Sequence, residues 1–218
     1  MFRPGLASLA AAVLLACEPP ARVASTAPPP APTASVSVTG PVAPPLSAAS
    51  WGTFSSPRFE LRLPLPDGRA WRIDDHGGPW LSATHAASES TLVVRSWTED
   101  GRATHQRCEE QARLWRALPD PGRAEAVQAR SIDAPAGFDT FVSIGVVPGK
   151  PDDPVAGFAV AFGGHGHRCF AWAYTTTARG PDAGVVLGER LATMVERSLG
   201  RVVLESELAP RIPREPLP

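Results

Sequence analysis

Apolar and charged side chains alternate at Phe59-Glu60-Leu61-Arg62-Leu63, a period of two that predicts a strand with one buried face, and the stretch Pro64 to Gly68 then turns the chain. Further strands are predicted over Ala70 to Asp74, Trp80 to His85, Thr91 to Thr98, Ala126 to Ile132, Phe138 to Val147, Val155 to Phe162 and Arg168 to Thr177. The last three read as a meander, with turns at Pro148 to Pro154 and Gly163 to Gly166. Two segments follow a helical period instead. Thr104 is suited to cap a helix in which Cys108, Gln111/Ala112, Trp115 and Leu118 recur at spacings of three and four, with Pro119 as its stop. A second helix begins at Asp182 and carries Leu187, Leu191, Met194, Val195 and Leu199 on one side. Gly200 ends it before a short terminal segment, Arg201 to Leu204.

This order of elements predicts an α+β fold, an antiparallel sheet of about seven strands with two helices packed on one face. The globular domain is expected over residues 51–208, which hold all six tryptophans and the single tyrosine. Residues 17–50 are rich in Pro, Ala, Ser and Thr and lack any periodic apolar pattern, so they are expected to form an extended, disordered linker. A smaller Pro-rich tail occupies 209–218. The order of elements, closing on a strand, a long helix and a short terminal strand, resembles the Mog1/PsbP-type sandwich. That resemblance implies a non-enzymatic accessory module that docks on a larger assembly, and it names no residue here.

The first sixteen residues change the picture from domain to location. They carry one charge, Arg3, and an apolar core from Leu6 to Ala16, long enough for a signal peptide and too short to span a membrane. Leu14-Leu15-Ala16-Cys17 closes this run and resembles the lipobox of bacterial lipoproteins. The resemblance implies cleavage after Ala16, acylation of Cys17 and a membrane partner reached through the N-terminal lipid. The domain would then lie in the cell envelope, in the periplasm or at the cell surface, with the outer membrane favoured over the inner. With Cys17 taken by lipid, Cys108 and Cys169 are expected to pair as a disulfide in an oxidising compartment. Closing a loop of about sixty residues should stabilise the fold by roughly 4 kcal/mol.

Charge narrows the range of partners. The chain has 21 Lys+Arg against 22 Asp+Glu and shows no basic stripe, so no nucleic-acid partner is expected. Three constellations carry residue types suited to chemistry. His165 and His167 flank Gly166 and are the tentative metal ligands, with His76, His85 and His105 as further donors; a glycine-rich hairpin turn is the plainer reading. His76-Gly77-Gly78 is similar to the oxyanion loop of esterases, but the chain has no Gly-x-Ser-x-Gly elbow, and a turn over Asp74 to Pro79 accounts for it. The pairs Glu99-Asp100, Glu109-Glu110 and Asp152-Asp153 read as solvated faces or loop tips, because adjacent side chains diverge.

The remaining candidate is aromatic. Phe170, Trp172 and Tyr174 line one face of their strand while Cys169, Ala171 and Ala173 line the other, so if both helices cover the cysteine face the aromatic row must be buried by other parts of the chain or form a binding groove. The sequence thus points to a lipid-anchored envelope protein, a non-catalytic binding or assembly module with another envelope protein as partner and no cofactor. An envelope metal protein or enzyme using the His165/His167 loop is the alternative.

Overall fold

The computed structural model describes residues 50–149 and 153–205. The expected signal peptide, Cys17, the linker up to residue 49 and the Pro-rich tail lie outside the described residues, as does Asp152.

The elements are β1 (Trp51–Ser56), β2 (Leu61–Pro66), β3 (Trp71–Asp74), β4 (Leu81–His85), β5 (Ser90–Thr98), α1 (His105–Trp115), β6 (Ala126–Ile132), β7 (Asp139–Val147), β8 (Val155–His165), β9 (Arg168–Ala178), α2 (Ala183–Thr193) and β10 (Val203–Leu204). A seven-stranded antiparallel sheet runs in the order β3-β4-β5-β9-β8-β7-β6, and a three-stranded one runs β1-β2-β10. The fold is α+β, with the seven antiparallel strands and two helices that the periodicity implies. The strands β6 to β9 form a continuous meander, longer by one member than the sequence suggests.

Each face of the large sheet is packed by a different set of elements. On one face Leu92, Val94, Val142, Ala159, Ala161, Phe170, Trp172 and Tyr174 meet Leu61, Leu63 and Leu65 of β2 and Leu187 and Leu191 of α2 in a single core cluster. Beyond α2 the chain widens into a π-helical turn, Met194–Ser198, which adds buried Met194 and Val195 to the same core. On the other face Phe158, Val160, Phe162, Ala171 and Ala173 pack with Trp80 and with Ala112 of α1.

The expectation that both helices share one face is therefore corrected: α1 and α2 lie on opposite faces. The disulfide draws α1 to the Cys169 side, while the large rings on the alternate positions of β9 are covered by the long apolar edge of α2 and its continuation.

Two elements depart from the sequence pattern. Strand β2 runs through Pro64 and Pro66, where a turn is expected. Its other neighbour, β10, pairs only with Arg62 and Leu61, so at the prolines β2 has one open side and a missing N–H is tolerated. Helix α1 stops at Trp115, well before Pro119, because Arg116 turns to extended backbone. Leu118 then reaches the core from the following loop.

Candidate functional site

Helix α1 is fixed at its first turn. Thr104 caps it, its hydroxyl accepting from the Arg107 N–H at 3.3 Å, and Cys108 is disulfide-bonded to Cys169 with a Cα–Cα distance of 5.4 Å. At its start the backbone of β8 approaches closely: a Cβ on Gly164 would stand 2.7 Å from Ala103 and Thr104 backbone atoms. The helix therefore runs across β8 and β9 in one fixed line, and its last turn projects Trp115 over β5.

There three tryptophans surround one arginine. The Arg95 guanidinium lies 3.8 Å from the centroid of the Trp115 ring, 5.9 Å from that of Trp80 and 6.0 Å from that of Trp97. Trp97 and Trp115 meet edge to face at 5.1 Å. Arg116, the first residue past the helix, lies over Trp80 with its guanidinium carbon 5.9 Å from the ring centroid. Trp97 is anchored by its ring N–H, which donates to Glu99 at 2.7 Å, and Arg107 donates to the other oxygen of the same carboxylate at 3.2 Å. Burial lowers the pKa of Arg95 from its ordinary value, as expected for a cation partly stripped of water. Trp115 is 40% exposed and neighbouring Leu114 is 80% exposed, so this patch is both aromatic and open to solvent. The helical period puts Trp115 on the apolar side of its helix with Cys108 and Ala112, and nothing in the sequence marks the cluster. The nearest sign, a tryptophan followed by arginine at the end of a helix, says nothing about Arg95 from another strand.

The aromatic row singled out from the sequence has a different fate. Phe170, Trp172 and Tyr174 are all 0% exposed and belong to the core under β2 and α2, so they form no binding groove, which corrects that candidate.

The two tentative metal ligands sit in the β8–β9 turn and engage the backbone. His165 is exposed, its Nδ1 is 2.8 Å from the Gly137 carbonyl and its ring leans on Phe138. His167 is exposed, and its carbonyl accepts from the Glu99 N–H at 2.7 Å. His105 is bound to Asp139 at 2.8 Å and His76 contacts Asp75 at 3.1 Å. Among the described residues no group of three or more His, Cys, Asp or Glu side chains is placed to hold a metal ion. The His76-Gly77-Gly78 segment is the expected turn, with one Asp74 oxygen accepting from the N–H groups of His76 at 3.0 Å and Gly77 at 2.7 Å. Those two bonds hold the Asp74 carboxyl below its usual range.

A buried polar cluster emerges that the sequence did not single out. His85 Nδ1 lies 2.7 Å from the Ser88 hydroxyl, which is 2.7 Å from that of Ser90, and Ser90 reaches the Tyr174 hydroxyl and Thr176 at 2.9 Å each. Arg190 of α2, only 1% exposed, donates to the Ser88 carbonyl at 3.0 Å, the Thr176 hydroxyl at 3.1 Å and the Thr177 carbonyl at 2.8 Å. A histidine beside a serine suggests a nucleophile and its base, but the Ser88 hydroxyl is out of contact with solvent and engaged on both sides. The cluster instead ties α2 to the β4–β5 turn and the end of β9. A separate open cleft of about 780 Å³ lies between β1 and β3, walled by Trp51, Phe54, Leu65 and Ile73.

No known protein-family model matches the chain, and no curated protein matches it. Among solved structures it is similar to a crystal structure from Bacteroides thetaiotaomicron VPI-5482, at 11% identity and a TM-score of 0.39, over 64% of this chain and 45% of that one.

Proposed function

We propose that this chain is a lipid-anchored cell-envelope protein whose domain is a non-catalytic binding or assembly module for another envelope protein. The observation that carries this reading is how the three cysteines are divided. Two of them, Cys108 and Cys169, are joined across α1 and β9, which suits an exported domain, and the third is Cys17 of the lipobox-like Leu14-Leu15-Ala16-Cys17. Residues 18–50 would then tether the domain to the lipid, at the outer membrane in preference to the inner. The Arg95 and tryptophan cluster is the surface such a module would offer. Incorporation of a palmitate analogue tests the anchor: label on the wild-type chain that disappears in Cys17→Ser supports it, and label retained in that variant refutes it.

A further inference from the structure

The Arg95 cluster collects hydrogen-bond donors without acceptors. Among the described residues neither Arg95 nor Arg116 makes a side-chain hydrogen bond or an ion pair, and the ring N–H of Trp80, buried beneath both, finds no partner. Glu99, beside Trp97, is already engaged by Trp97 and Arg107, and Glu109 is engaged by Arg113 at 2.8 Å. A guanidinium stacked on an indole face is held in orientation while its in-plane N–H groups stay directed outward, the arrangement that receives a planar carboxylate in two parallel bonds. Three tryptophans positioning a cation that the fold leaves unmatched, in a chain of net charge −1, imply an anionic ligand.

We propose that Arg95 and Arg116, framed by Trp80, Trp97 and Trp115, form a receptor for a carboxylate on an acidic, partly apolar segment of a partner protein. The carboxylate engages the two guanidinium groups, and an adjacent apolar side chain lies on the exposed edge of Trp115. A flat anionic lipid surface fits less well, because the chain has a net charge of −1 and shows no basic stripe. This inference rests on the reading of the domain as a protein-binding module and names the chemistry of its partner.

Titration of the purified full chain, followed by the indole N–H resonances in NMR, tests it. The probes are N-acetyl-phenylalaninate, its neutral amide and glycerol 3-phosphate. The carboxylate is expected to shift the Trp80 and Trp115 signals saturably, with the amide about tenfold weaker. Arg95→Gln should abolish the shift. Arg116→Gln, at the exposed end of α1, should weaken it without altering the melting temperature, and this variant carries the test if Arg95→Gln fails to fold. Equal responses to carboxylate and amide, or unchanged titration in both variants, would overturn the receptor. Tighter binding of glycerol 3-phosphate would reassign the site to a phosphate, including that of a lipid headgroup. Crosslinking in native envelopes separates this failure from failure of the module reading. A partner captured equally by Arg95→Gln/Arg116→Gln removes the receptor and leaves the module, whereas carboxylate binding with no envelope partner does the reverse.

Discussion

Trp172 and His85 show how burial assigns roles to residues whose chemistry alone would suggest others. Trp172 has the size and flatness of a binding-site ring, yet it is sealed between β2, α2 and the large sheet. Trp172→Ala is expected to cost about 3–5 kcal/mol in chemical denaturation, since a large core side chain leaves a cavity the surroundings only partly fill. An unchanged unfolding midpoint would take the ring out of the core. His85 has the makings of a general base, but burial lowers its pKa below the ordinary 6.5; nearby Asp67 opposes that shift and Arg190 adds to it. Its Nδ1 accepts from the Ser88 backbone N–H at 3.3 Å, a bond available only to the neutral ring. Above the ordinary pKa both folded and unfolded chains hold His85 neutral. As pH falls below 6.5 the unfolded chain binds a proton that the folded chain resists, so stability decreases with acidification until the folded-state pKa is reached. His85→Gln should flatten that slope in denaturation curves taken between neutral pH and the mildly acidic range, and an identical slope in the variant would show that His85 does not set it.

At the scale of elements, α1 is the piece whose position matters most to the proposed surface, and three features hold it. Replacing both Cys108 and Cys169 with alanine is expected to cost roughly 4 kcal/mol, and Thr104→Ala about 1 kcal/mol by loss of the N-cap, both measured by urea titration. Gly164→Ala should destabilise as well, because the new Cβ would collide with the backbone of Ala103 and Thr104 where no flexible side chain can give way. A stable Gly164→Ala protein with unchanged Trp115 fluorescence would show that the helix start can move.

Much of this layer was legible beforehand. The Thr104 cap, the bounds of β6 and the period-two strand β4 all express local chemistry or a one-sided burial pattern. Strand β1 was not legible, since Trp51-Gly52-Thr53-Phe54-Ser55-Ser56 has little apolar alternation and becomes a strand through its pairing with β2. The face chosen by each helix was hidden for a related reason. Periodicity says that a helix has an apolar edge, while which side of a sheet receives it depends on what else must be covered.

At the scale of the whole molecule, the domain is a seven-stranded sheet buried on one side by α2 and a small sheet and on the other, in part, by α1. The candidate surface lies where α1 ends and its cover of β5 stops. The sequence shows Arg95, Trp80 and Trp115 as isolated residues, because they come from a strand, a loop and a helix that only the tertiary fold brings together. The proposed envelope address, by contrast, rests on a continuous stretch ending at Leu14-Leu15-Ala16-Cys17 and draws on no tertiary contact. The most direct measurement of the central proposal is photo-crosslinking in native envelopes, with the anchor intact and the crosslinker installed at the exposed Leu114 position. The account expects one reproducible envelope-protein adduct, reduced about tenfold by Arg95→Gln. Monomer alone, from a chain confirmed to be folded and membrane-bound, would contradict it.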